Sequence, residues 1–103
     1  MTLDRRAQQT QTQMNESFEQ FLSAIIEQCL DEHDMQPPLV ICTLGGNGSV
    51  LVASVNEDAK LVVLAKLCEN DAFTLPIKIT MFSQNNRAAR LVIERDGNIS
   101  QLH

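Results

Sequence analysis

Residues 39–55 read LVICTLGGNGSVLVASV, and this stretch decides the fold. Two runs rich in β-branched and aliphatic residues, Leu39–Leu44 and Ser49–Val55, flank Gly45-Gly46-Asn47-Gly48. Gly and Asn tolerate positive φ, so the pattern predicts two antiparallel strands joined by a hairpin. Both faces of that hairpin are apolar. Alternation places Leu39, Ile41, Val50 and Val52 on one side, and Val40, Cys42, Leu44, Leu51, Ala53 and Val55 on the other.

Upstream the period changes from 2 to 3.6. Met14, Phe18, Phe21, Leu22, Ile25, Ile26, Cys29 and Leu30 recur at spacings of three and four, the stripe of an amphipathic helix. Asp34 to Pro38 end it, because Pro37 disfavours helix at the residue before it. Leu3, Ala7 and Thr10 extend the rhythm backwards through the polar patch QQTQTQ at 8–13. Residues 1–13 are therefore either a polar extension or the first turns of the helix, ahead of a single domain over 14–103.

Downstream, Leu61–Cys68 (LVVLAKLC) reads as a strand, with Ala59, Leu61, Val63, Ala65 and Leu67 on one apolar face. The alternative is a second helix at 57–69, started by Asn56-Glu57-Asp58. Thr74–Phe82 and Ala88–Arg95 form the next pair, with a turn at Ser83–Arg87, and Ile99–Leu102 is a short final strand after Asp96-Gly97. A loop centred on Asn86 would set Ile79 opposite Ile93 and Phe82 opposite Arg90, the latter in cation–π geometry. The expected fold is α+β: an N-terminal amphipathic helix packed on an antiparallel sheet of about five strands in meander order, or of four strands if 57–69 is helical.

One helix covers only one face of such a sheet. Because several strands are apolar on both sides, something else must cover the other face, and a second copy of the chain is the favoured candidate. Val62, Leu64, Phe82 and Arg90 are the residues expected on that surface. Charge adds a second candidate surface. The chain carries 13 acidic and 8 basic residues, and all the net acidity falls in residues 1–36. Glu16, Glu19 and Glu27 line the polar side of the helix, either as a docking face for a basic partner or as a solvated face.

Composition excludes some classes of function. A net charge of −5, with no Trp or Tyr and four Phe, argues against nucleic acid as a partner. No apolar run approaches a membrane span, and residues 1–14 have no apolar h-region, so a cytoplasmic address without a secretory signal is expected. Cys29, Cys42 and Cys68 lack CxxC spacing and sit among apolar neighbours, the pattern of small buried hydrophobes. Cys29 and His33 at i and i+4 offer two metal ligands but no obvious remainder. The glycine loop lies between two strands and lacks a phosphate-binding motif. No catalytic, cofactor or metal constellation is expected. The reading is a small acidic interaction module, non-catalytic and homodimeric, with another protein as a further partner. Secretion-chaperone-like adaptors and immunity or inhibitor proteins fit this size and charge by analogy. The alternative is a small-ligand binder or cofactor-less enzyme, with a pocket between helix and sheet or at the dimer interface.

Overall fold

In the computed structural model, which describes residues 18–68 and 73–102, the helix α1 (Phe18–His33) is followed by six strands. These are β1 (Leu39–Leu44), β2 (Val50–Val55), β3 (Leu61–Leu67), β4 (Ile77–Ser83), β5 (Ala88–Ile93) and β6 (Ile99–Leu102). They form one antiparallel sheet in the order β3-β2-β1-β4-β5-β6. The α+β architecture matches the expectation, with six strands where about five were expected. Residues 61–67 are a strand, so the second-helix alternative falls. Meander order holds within β1–β3 and within β4–β6, and breaks once where the chain leaves β3 and returns to pair β4 with β1. The expected first turns of the helix, with Met14 and Glu16, lie outside the described residues.

The apolar stripe forms α1 and points it at the sheet. Phe18, Leu22, Ile25, Ile26 and Cys29 are buried against Leu39, Ile41, Leu51, Ala53, Val55, Ile77, Ile79, Met81, Leu91 and Ile93. The helix ends with Asp34 at φ 51° and a hydrogen bond donated by the Met35 amide to the Leu30 carbonyl, 3.3 Å, the Schellman pattern. Buried Met35 then packs near half-buried Leu30, as that motif prefers. Asn85 in the β4–β5 turn clasps the same end: its Nδ2 donates to the Asp34 carbonyl at 2.9 Å.

Four hairpin turns share one design. In each, the first residue donates its amide to the carbonyl four positions on, and the fourth donates back to the first; the pairs are Gly45/Ser49, Asn56/Lys60, Ser83/Arg87 and Glu94/Asn98. The fourth residue is left-handed every time: Gly48, Ala59, Asn86 and Gly97, with φ between 60° and 85°. This is the three-residue turn with a G1 bulge. It corrects two registers. In the first hairpin Leu39 faces Val55 and Ile41 faces Ala53, so Val50 and Val52 lie on the other side from Leu39 and Ile41. In the second, Ile79 faces Leu91 and Phe82 faces Ala88, two residues away from the pairing with Arg90. The loop there is centred on Asn85, because Ser83 and Arg87 close it.

Residues 73–76, which lead into β4, pass over the first hairpin loop. Phe73 is buried and stacks on Phe18, ring centroids 4.3 Å apart. Gly46 donates its amide to the Thr74 carbonyl at 2.8 Å, and a Cβ there would stand 2.7 Å from the Leu75 oxygen. The loop is thus a bearing for the crossing backbone, which only glycine allows so close.

Candidate interaction surface

The register separates the sheet into two faces. Leu39, Ile41 and Thr43 of β1, with their partners Val55, Ala53 and Leu51, point to the helix and are buried. Thr43 is satisfied there, its hydroxyl donating to the Leu51 carbonyl at 2.9 Å. The opposite face lies away from α1, and of its apolar side chains only Val92 on β5 is buried among the described residues. Three rows of side chains cross it: Leu67, Val50, Leu44, Lys78 and Val92; Ala65, Val52, Cys42, Thr80 and Arg90; and Val62, Ser54, Val40, Phe82 and Ala88. On the β1–β3 half no side chain is charged. The only charges in these rows, Lys78 and Arg90, lie on the β4–β5 half.

Exposed large apolar side chains lie on this face on both β1–β3 and β4. Val40 is 53% exposed, Leu67 75% and Phe82 61%, values far above those of aliphatic and aromatic side chains in a core. Of the residues expected on this surface, Val62, Phe82 and Arg90 are on it. Phe82 lies opposite Val40 and Ala88, and Arg90 opposite Thr80, so the facing pair they were expected to make is not formed.

Leu64 sits at an irregularity. The pairing of β2 with β3 shifts between Val52/Ala65 and Ala53/Val63, leaving Leu64 as the extra residue of a β-bulge. From that point the alternation of β3 inverts: Lys66 pairs with buried Leu51 on the helix side, and Leu67 moves to the outer face. The single apolar face expected from Ala59 to Leu67 is therefore broken. An inward charge and a bulge are both devices that blunt an edge strand against further pairing, and β3 is an edge. Alternation alone misses this. A lysine inside LVVLAKL is the signal that could have found it.

The acidic residues form a separate feature. Glu19 and Glu27 are exposed and line a trough of about 840 Å³ between the flank of α1 and the helix-side face of β3, over Ala24, Leu61 and Val63. Glu16 lies outside the described residues. Among the described residues, Lys60 is the one cation in the trough lining.

The thiols divide by position. Cys29 is buried; burial, and then the Glu32 carboxylate, push its thiol above the usual range. A thiol held neutral in that way is a poor nucleophile despite His33 one turn on. Cys42 is exposed on the outer face and Cys68 half-buried, so the expectation that all three are buried holds only for Cys29 within one chain. His33 Nδ1 stands 3.4 Å from Gln101 Nε2. Among the described residues no group of three or more His, Cys, Asp or Glu is arranged to hold a metal ion, and no helix is long and apolar enough to cross a membrane. Comparison with protein-family models, curated proteins and solved structures finds no match to the chain.

Proposed function

We propose that the protein is a non-catalytic interaction module that works as a homodimer, with the outer face of the sheet as its self-association surface. The observation that carries this is the uncharged, exposed β1–β3 half of that face, with Val40, Leu44, Val62 and Leu67 open to water. Contiguous apolar surface of this kind is costly on a lone soluble domain. The outer face of the six-stranded sheet, with strands about 4.8 Å apart and about 20 Å long, spans roughly 600 Å² in plan, about half of it over β1–β3. A contact centred on that half must therefore also take in Phe82 on β4 to approach the ~800 Å² per partner of a stable interface.

A second copy fits the charge distribution. A two-fold axis that stacks the two β1–β3 halves keeps Lys78 and Arg90 of each copy at the rims, where like charges stay apart and hydrated. A thiol exposed on the sheet, Cys42, suits a reducing cytoplasmic setting. The small-ligand alternative has less support, since the trough beside β3 is open along its length, whereas ligand pockets enclose most of their ligand.

Absolute mass by light scattering tests the reading. The expected result is twice 11.5 kDa, reduced to a single chain by Val40→Glu with circular dichroism unchanged, because Val40 is exposed on the side of β1 away from the core. A monomeric wild type across all concentrations, or a dimer indifferent to Val40→Glu, would overturn it.

A further inference from the structure

We infer that the two copies stack with aligned strands and a two-fold axis running along the strands between β1 and β2, so that Phe82 of each copy seats on the partner's Val62. The inference rests on the reading of the protein as a homodimer and specifies which side chains meet. Relief, exposure and charge each select this arrangement from the others a two-fold axis allows.

The outer face has a furrow. Val50, Val52 and Ser54 of β2 are half-buried there, whereas Val40, Cys42 and Leu44 of β1 and Val62, Ala65 and Leu67 of β3 are exposed. Facing sheets interdigitate their side chains. An axis between β1 and β2 lays the β1 ridge of each copy in the β2 furrow of the other. The same rotation lays β4 on the partner's β3, because β4 and β3 are equally far from that axis in the strand order. Rotation about the strand direction keeps each row of side chains in its row. Phe82 then meets the partner's Val62, Thr80 the partner's Ala65 and Lys78 the partner's Leu67.

This stacking covers what most needs cover. Leu67 and Phe82 are the two most exposed large apolar side chains among the described residues, and they stand on the two outer strands of the contact. Any axis centred on β2 alone would leave β4, and with it Phe82, hanging past the partner's edge.

Charge excludes the other aligned stacking. With the axis along the strands, Arg90 on β5 projects beyond the partner's β3 edge and stays hydrated. Lys78 can run its aliphatic stem over the partner's Leu67 and hold its ammonium in water at the same edge. With the axis across the strands, each strand would lie on its own counterpart. The two Arg90 side chains would then be drawn together over β5, and Phe82 would sit on the partner's Lys78.

The test is native mass spectrometry on Phe82→Glu, Val62→Lys and their mixture, beside the wild-type dimer. Phe82→Glu should weaken self-association at least about tenfold, as loss of a buried aromatic anchor does. Mixed with the Val62→Lys chain, it should form a heterodimer in preference to either homodimer. One opposite-charge pair then spans the copies, while the second chain's own Phe82 still covers Val62 of the first. Rescue cannot arise within one chain, where Val62 and Phe82 lie three strands apart, about 14 Å. A single chain with both changes forms that pair twice and should associate more tightly than Phe82→Glu alone. Circular dichroism should stay unchanged throughout, since both positions are exposed. A wild-type dimer that Phe82→Glu does not weaken, or that Val62→Lys does not rescue, would overturn the arrangement and leave the dimer standing. A Phe82→Glu dimer tighter than wild type would also overturn it, by placing the axis across the strands. A monomeric wild type would overturn the homodimer and this arrangement together.

Discussion

Ala59 occupies the left-handed position of its turn, at φ 62°, where two of the other three turns place glycine. Its Cβ costs about 1 kcal/mol in that conformation. Ala59→Gly relieves the strain but loosens the unfolded chain, and relief wins where φ is positive. A net gain of about 0.5–1 kcal/mol in denaturant unfolding is expected. Gly46 is the converse case, with the Leu75 carbonyl in the space a Cβ would fill. Gly46→Ala should cost about 1–3 kcal/mol, as overpacking against backbone does, read as a lower urea midpoint at unchanged slope. Cys29 supplies a pH dependence. Its thiol is held above the ordinary range by burial and then by Glu32, so the unfolded chain ionises first. The stability that follows is complete below the ordinary thiol pKa and is lost as pH rises through the raised one. Cys29→Val should flatten the fall of Tm as pH rises through and above the ordinary thiol range.

At the scale of elements, what was legible in the sequence is what depends on local periodicity. The α1 stripe was readable because its buried positions recur at three and four, and the strands because their runs are long and bounded by turn residues. Register was not, since it depends on where each left-handed residue falls. Gly48 and Asn86 sit as fourth residues of three-residue turns, and a different loop length slides every facing pair. The same limit hid the break in meander order: nothing local says that the backbone after Thr74 will cross Gly46. As for the candidate site, Val62 and Phe82 were legible as surplus apolar residues. The trough was not, because it joins Glu27 to Leu61 across the fold. β3 yields its own prediction. Lys66 and the bulge guard its edge, so Lys66→Val should leave the fold intact yet produce species larger than a dimer on a sizing column. An unchanged elution profile would remove the guarding role.

Over the whole molecule, the asymmetry between the faces is the central feature. One side of the sheet is covered by α1 except along β3, while the other carries apolar rows with two cations at one side. Acidity is concentrated in the N-terminal third, and Glu19 and Glu27 look toward the β3 edge and not the apolar face. The molecule thus keeps its exposed apolar face apart from its exposed helix carboxylates. Cys42 stands on β1 within the apolar face, exposed in a single chain, and reports directly on whether that face is covered. The decisive measurement is the rate of Cys42 alkylation by a maleimide, followed by peptide mass spectrometry over a wide range of protein concentration. Self-association predicts a rate that falls as concentration rises, with the Val40→Glu variant reacting fast throughout. A wild-type rate that is fast and independent of concentration would contradict the account.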